Sequence, residues 1–313
     1  MSYTTKIKEE IASIENTKSE MIAELAGFIR NNGTIVNDTI ALTTENKKTV
    51  ERIKTFIKTV YNTDLKIETK DNANFSKKEL VVMNIDTNVD VILKDIGFVD
   101  EKGNFLMTPP TYIVGANEEI RAYLRGVFLC CGSINDPKTS RYHMELLISS
   151  PEEAVFVQKL LNIFDLNAKI LNRDKGYMIY LKEAEKISDY IKILGANNAV
   201  MYFENVRIYR EQKNKTNRLN NCEQANIDKV VATATVQLEQ IRIIEETSSV
   251  DLLEDKTRET LEYRKKYPEA SLKELSEIIS LETGKPITKS GLNHRLRKIK
   301  ELAERLAKSN EKK

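Results

Sequence analysis

Two nine-residue segments with one shared pattern constrain the fold of this chain more than any other feature. LAGFIRNNG occupies residues 25–33 and LRGVFLCCG occupies residues 124–132, so the two begin 99 residues apart. Each starts with Leu, carries Gly at the third and ninth positions, and is mainly apolar between them, as a buried helix is. Because a repeat of this kind marks two copies of one structural unit, the first two thirds of the chain should contain a pair of related domains.

The residues after each segment predict the same order of elements. In the first copy, TIVNDTIALTT predicts two strands that turn at Asn37-Asp38. The first copy should continue with a helix over 45–60, strands over 64–71 and 79–86, and a short helix closed by Gly97. The second copy should contain a strand over 142–150, a helix from Pro151, a hairpin at Gly176 and a helix ending at Gly195. We therefore predict an α+β fold, with tandem pseudo-twofold αββαββα repeats and two saddle-shaped antiparallel sheets.

Glycine inside a helix costs about 1 kcal/mol relative to alanine, so Gly27 and Gly126 need a structural reason. Close approach of two helix backbones is the simplest one, and Ala26 should lie at the same crossing. Gly33 and Gly132 end their helices, and we expect the left-handed conformation for both.

The two segments resemble the motif of the LAGLIDADG homing endonucleases, in which a carboxylate at the end of each motif helix binds a divalent cation beside the scissile phosphate. That resemblance places the catalytic acid positions on Asn32 and Cys131, and the earlier acid positions on Arg30 and Leu129. An amide and a thiol are poor ligands for a pair of hard Mg²⁺ ions. The prediction is a nuclease scaffold whose former catalytic positions are degenerate, with no catalytic residue.

Other metal sites and cofactors are not expected either. His143 and His294 are the only histidines, which argues against a zinc site with two His ligands. Cys130-Cys131 lacks the spacing of a zinc motif and is interpreted as a pair of small buried residues near the helix interface. Asp38 and Asp136 follow the two segments at matching places, and we assign both to turns.

A basic segment begins at Val206. Five Lys or Arg residues lie between Asn205 and Asn220 against one acid, Glu211. The candidate DNA contacts here are Arg207, Arg210, Lys213, Lys215, Asn217 and Arg218. The alternative is a solvated linker. A helix should follow, with an apolar stripe made by Ile227, Val230, Val231, Ala234, Leu238 and Ile241.

The last 60 or so residues predict an all-α helix-turn-helix domain. Ser271 and Glu274 form a capping box that starts one helix, and ETGKPIT predicts the turn after it. In the helix that follows, the apolar stripe consists of Leu292, Leu296, Ile299, Ala303 and Leu306. Four residues project away from this stripe in the first half of the helix and are predicted DNA contacts: Ser290, Asn293, His294 and Arg297. Lys289 at the helix start and Lys298 further round the helix complete the predicted contacts.

The string ITKSGLNHRLRKIKELAERL closely resembles the end of the WhiA family of bacterial sporulation and cell-division regulators. NRLNNCEQAN over 217–226 and the degenerate LAGLIDADG pair agree with that family, and the resemblance covers essentially the whole chain. It implies sequence-specific binding of double-stranded DNA and control of transcription linked to cell division, chromosome segregation or sporulation, without enzyme activity. A regulatory partner protein or RNA polymerase is the further partner it suggests.

We expect four parts: LAGLIDADG-like repeats at 1–110 and 111–205, a basic connector and helix at 206–246, and the helix-turn-helix domain at 247–313. The net charge of +2 does not identify a partner, and no apolar run is long enough to span a membrane. We therefore expect a cytoplasmic protein, and the DNA binding that the WhiA resemblance implies would associate it with the nucleoid. Two alternatives stay open, namely an endonuclease that uses non-standard metal ligands, and a protein-interaction scaffold with incidental DNA contact.

Overall fold

The computed structural model describes residues 1–70, 79–139 and 141–310. It divides into two compact units, residues 1–211 and residues 212–313. The first unit opens with helix α1 (Tyr3–Ile11) and then contains the two predicted αββαββα copies, so the predicted fold class is confirmed.

The first copy consists of α2 (Lys18–Asn32), β1 (Thr34–Val36), β2 (Thr39–Thr44), α3 (Lys47–Tyr61), β3 (Lys66–Lys70), β4 (Leu80–Ile85) and α4 (Val89–Asp95). The second copy consists of α5 (Asn117–Cys131), β5 (Gly132–Ile134), β6 (Met144–Ile148), α6 (Pro151–Ile163), β7 (Lys169–Arg173), β8 (Gly176–Leu181) and α7 (Ala184–Leu194). Asp71, the last residue of the strand predicted over 64–71, lies outside the described residues.

Each copy forms one four-stranded antiparallel sheet, and the two sheets have matching strand orders, β1-β2-β4-β3 and β5-β6-β8-β7. The two-residue turn between β1 and β2 has Asn37 and Asp38 at φ values of 48° and 56°. Left-handed residues at both positions match the twist of a tight hairpin. In the second copy, the Asp136 carboxylate accepts the backbone N–H of Lys138 at 2.9 Å. Both aspartates therefore belong to turns, as predicted.

The motif helices α2 and α5 make the most extensive contact of any two elements in the described part of the chain. A Cβ atom on Gly27 would lie 2.3 Å from the carbonyl oxygen of Tyr123, and one on Gly126 would lie 2.1 Å from that of Glu24. Ala26 is fully buried. The predicted glycine crossing is confirmed, and no larger residue fits at either glycine unless the helices separate.

The left-handed conformation predicted for Gly33 and Gly132 is wrong. Both are extended, with φ/ψ of −70°/132° and −87°/143°, because a strand follows each helix directly. The lack of room for a Cβ atom explains why glycine occupies these two positions. A Cβ atom would lie 2.6 Å from the Ile29 carbonyl oxygen at Gly33, and 2.1 Å from the Phe128 ring at Gly132.

Helix α1 was not anticipated from the sequence, although Tyr3, Ile7 and Ile11 are spaced by four residues and are all buried. The hydroxyl of Thr4 donates to the Ile134 carbonyl oxygen at 2.9 Å and accepts the Ile134 N–H at 3.0 Å. Helix α1 thus satisfies backbone groups on β5, an edge strand whose polar groups would otherwise be open to pairing.

The long helix α8 (Asn197–Glu246) contributes its first part to the first unit and its remainder to the second, which also contains α9 (Asp255–Lys266), α10 (Leu272–Thr283) and α11 (Lys289–Asn310). The basic segment predicted at 206–226 is therefore helical throughout, and no break occurs at the predicted boundary of 205/206. The predicted capping box at Ser271 is present.

The structure shows which residues of the two predicted apolar stripes are buried. On α8, Ala234 and Ile241 are buried, whereas Ile227 and Val231 are 56% and 50% exposed. On α11, all predicted stripe residues except Leu306 are buried, and Leu306 is half-buried. Of these two helices, α11 contributes its whole stripe to the core of the second unit, whereas α8 contributes only its last part.

Candidate nucleic-acid interface

Asn32, at the first former acid position, is held by the backbone of β2. Its amide nitrogen donates to the Thr43 carbonyl oxygen at 3.0 Å, and its amide oxygen accepts the Thr43 N–H at 2.7 Å. Both polar atoms of the side chain are therefore engaged. Asn32 joins the end of α2 to the sheet and offers no free ligand atom.

Cys131, at the second position, makes a local contact. The Cys130 and Cys131 thiols both donate to the Val127 carbonyl oxygen, at 3.1 and 3.2 Å. Burial raises the pKa of the Cys130 thiol, which disfavours the thiolate that binds metals. Among the residues that the structure describes, no group of three His, Cys, Asp or Glu side chains could hold a metal ion.

Arg30, at an earlier acid position, joins the two copies. Its buried guanidinium pairs with Glu153 of α6 at 3.2 Å. A second buried cluster involves the same helix, where the Glu24 carboxylate pairs with Arg52 of α3 at 2.5 Å and with Arg125 of α5 at 3.2 Å. Buried ion pairs of this kind are costly to break from one side, so the motif helices carry structural charges here.

The structure separates the basic residues of α8 into two groups. Arg207 pairs with Glu204 at 2.8 Å, and their hydrogen bond raises the pKa of the arginine. Arg210 donates to the carbonyl oxygen of Pro137 at 2.6 Å and stacks on the Tyr142 ring at 4.7 Å. These two predicted DNA contacts are therefore engaged within the first unit.

The other predicted contacts on α8 face solvent. Lys213, Lys215, Asn217 and Arg218 are all exposed, and none has a hydrogen-bond or ion-pair partner within the described parts of the chain. Three exposed cations that form no ion pair with a described residue thus lie within six residues of one helix, and clustered positive charge of this kind attracts phosphate.

The turn between α10 and α11 is held by side chains. Gly284 ends α10 in the left-handed conformation, with φ of 70°. The Ser280 hydroxyl accepts the Ile287 N–H at 2.9 Å, and the Thr288 hydroxyl caps α11 by accepting the Gly291 N–H at 3.1 Å. The start of α11 is thereby fixed against α10, as a helix-turn-helix motif requires.

Helix α11 has one buried face and one open face. Leu292 and Ile299 are buried, and Arg295 anchors the helix to α9 by donating to the Lys256 carbonyl oxygen at 3.0 Å. Five of the six predicted contacts are exposed and make no side-chain hydrogen bond or ion pair to any described residue; these are Lys289, Ser290, Asn293, His294 and Arg297.

Lys298 is the exception among the predicted contacts of α11. Its ammonium pairs with Glu254 at 2.8 Å, and its side chain is 39% exposed. The hydrogen bond from Lys298 holds the pKa of the Glu254 carboxyl below its usual range. The ammonium that the sequence interpretation assigned to DNA is thus already paired inside the domain.

Three family models match the chain in succession. They are the WhiA N-terminal LAGLIDADG-like domain over residues 18–99, the WhiA LAGLIDADG-like domain over 120–213 and the WhiA C-terminal HTH domain over 216–303. This chain belongs to the WhiA family. The match to the HTH model begins within α8, so the second part of that helix is included in the WhiA HTH domain.

Similar proteins cover the full length of the chain. The "Probable cell division protein WhiA" of Bacillus cytotoxicus is 40% identical over 98% of this chain and 97% of its own. The protein of the same name from Staphylococcus epidermidis is 40% identical over 98% of each. Full-length WhiA from Thermatoga maritima, with 22% identity and a TM-score of 0.61 over 97% of this chain and 99% of its own, shares the fold.

Sequence reasoning missed a group of basic residues in the WhiA HTH domain. Lys229 of α8, Arg264 of α9 and Lys273 of α10 line one cavity together with Lys289. They come from four helices, so no local pattern could group them.

Within the described residues, no helix is both long enough and apolar enough to span a membrane.

Proposed function

We propose that this protein is a sequence-specific DNA-binding regulator of transcription that acts in cell division, chromosome segregation or sporulation. The observation that carries the proposal is the open face at the start of α11, where five exposed polar side chains have no hydrogen-bond or ion-pair partner among the described residues. The match to the WhiA HTH model and the cell-division name of the relatives support it. Its place in the cell would be the nucleoid.

The chemistry of the open face suits the major groove. Arg297 can donate two hydrogen bonds to guanine, and Asn293 can pair with adenine. One turn of helix separates them, about 6 Å along the axis, so both can reach bases of one half-site. Lys289 and Ser290 lie at the helix start, where free amides and the helix dipole favour phosphate.

We propose a non-catalytic role for the LAGLIDADG-like unit. Endonuclease activity is disfavoured by Asn32 and Cys131, whose polar atoms are held by backbone groups. The unit then serves as a scaffold that presents the first part of α8, and a regulatory partner protein or RNA polymerase would bind its remaining surface.

The test begins with genome-wide mapping of bound sites, which supplies a specific duplex. Affinities of the full-length protein for this duplex and for an unrelated one are then compared at fixed salt. Arg297→Ala should lower the ratio of the two affinities about tenfold, in line with roughly 1–3 kcal/mol for a bidentate base contact.

Arg305→Ala is the matched control, because Arg305 is an exposed arginine in the second half of the same helix. It should leave the ratio unchanged. If Arg297→Ala is folded and keeps the wild-type ratio, recognition does not use this face of α11.

A further inference from the structure

A cavity of about 220 Å³ lies within the second unit, where α8, the α9–α10 junction and the start of α11 meet. Four basic side chains line it, and no acidic residue does: Lys229, Arg264, Lys273 and Lys289. Whole drug-sized ligands occupy cavities of roughly 300–1,000 Å³. This cavity suits a single small anionic group.

Arg264 is the buried member of this set, with 1% of its surface exposed. Its Nη1 donates to three carbonyl oxygens, the nearest being that of Ala270 at 2.7 Å. Its Nε has no hydrogen-bond partner among the described residues. Burial lowers the pKa of this guanidinium, and no carboxylate in the described chain forms an ion pair with it.

The other buried arginines in the described chain are paired differently. Arg52 and Arg125 share the carboxylate of Glu24, and Arg30 pairs with Glu153. A buried cation without a counter-charge is unfavourable. Among the described residues, Arg264 therefore lacks the anionic partner that each of these other arginines has.

The first turn of α10 contributes further donors. Ser271 and Glu274 satisfy each other through the capping box. Leu272 and Lys273 also line the cavity, and their backbone amides have no acceptor in the described structure. Free amides at a helix start bind anions, and here they adjoin a buried guanidinium that lacks a counter-charge.

We propose that this cavity binds a phosphate group, which the DNA backbone or free phosphate supplies. With a DNA phosphate, the inference rests on the function proposed above, and the site holds the second unit on the duplex beside the open face of α11. With free phosphate, the site is independent of DNA. In both cases Arg264, the α10 amides and the surrounding lysines hold the oxygens.

The first experiment uses inorganic phosphate and the full-length protein. Lys229 and Lys273 are exposed, so Lys229→Gln/Lys273→Gln removes two cations of the cavity and should leave the fold intact. The control is Arg305→Gln/Lys308→Gln, two exposed cations on the second half of α11. Unfolding temperatures are measured in phosphate and in chloride at equal ionic strength.

Phosphate should raise the unfolding temperature of the wild type and the control by the same amount, and that of the cavity variant by less. The general stabilising effect of phosphate as a salt is common to all three proteins and cancels in this comparison. A reduced response in the cavity variant alone establishes binding of free phosphate, whether or not the protein binds DNA.

The second experiment measures binding of an unrelated duplex across salt concentrations. Loss of one phosphate contact lowers the salt slope by about 0.9, so the cavity variant should have a flatter slope than the control variant if a DNA phosphate occupies the site. An unchanged slope with a reduced phosphate response identifies free phosphate as the occupant. The proposal is overturned if the two variants respond alike to phosphate and have equal slopes.

Discussion

At the crossing of α2 and α5, replacing glycine by alanine should change the stability of the protein in the direction opposite to that in an ordinary helix. Replacing glycine by alanine in an exposed helix stabilises a protein by about 1 kcal/mol. At Gly27 the added Cβ would lie 2.3 Å from the Tyr123 carbonyl oxygen, whereas ordinary contact begins near 3.4 Å. We expect Gly27→Ala to destabilise the first unit.

The magnitude follows from what must move. The obstacle is a backbone carbonyl and cannot rotate away, so α2 must shift by about 1 Å from α5. Leu25 and Phe28 on α2 and Leu124 on α5 are fully buried, and a shift of the helix displaces them all. Overpacking of this kind costs about 1–3 kcal/mol. For a unit of this size, about 1–3 kcal/mol corresponds to a fall of about 2–12 °C in the unfolding temperature.

Calorimetry of the full-length protein measures this change, and Gly115→Ala provides the matched control. Gly115 has a right-handed helical conformation with φ of −72°, and a Cβ there comes no closer than 3.4 Å to any atom. Its substitution should leave the unfolding temperature equal or slightly raised. An increase for Gly27→Ala would show that the helix backbones are not in close contact at this glycine.

Three further predictions concern DNA. Combined alanine substitution of Lys213, Lys215 and Arg218 should weaken binding to all duplexes alike and lower the salt slope by up to about 3, as measured by fluorescence anisotropy. Unaltered binding to unrelated DNA would show that these residues are only a solvated surface. The purified protein should not nick supercoiled plasmid with Mg²⁺ or Mn²⁺, and metal-dependent nicking absent from a mock purification would refute this. Lys298→Ala should change the ratio of specific to non-specific affinity less than Arg297→Ala, because a carboxylate already holds its ammonium; an equal loss for both would contradict the assignment.

Much of the fold was predictable because its signals are local. The Asn37-Asp38 turn and the apolar stripe of α11 each depend on residues a few positions apart, and the repeat is visible because each copy is a short contiguous segment. The continuity of α8 was predictable too, since no Gly or Pro occurs between Asn197 and Glu246. The composition of the basic segment drew attention to its charge instead. The extended conformation at Gly33 and Gly132 was missed because a glycine at a helix end has the same sequence pattern in either conformation.

The partners of charged side chains could not be predicted. Arg210 and Lys213 look alike in the sequence, yet Arg210 donates to the carbonyl oxygen of Pro137, which is 73 positions away. Lys298 and Arg297 are adjacent, and only Lys298 meets a carboxylate of a residue 44 positions away. Such differences depend on which elements the tertiary fold brings together. A list of candidate contacts from sequence alone therefore includes residues that the fold has already paired.

The two hydrogen bonds between Asn32 and Thr43 also bear on how this helix end can evolve. An aspartate at position 32 would still accept the Thr43 N–H, but its second oxygen would face the Thr43 carbonyl oxygen, and two acceptors would lie where a donor and an acceptor now meet. Restoring the acid would thus weaken the junction of α2 and β2 before any metal could bind. A single mutation toward an acidic motif is then disfavoured by stability alone, and selection for folding tends to keep the amide in place.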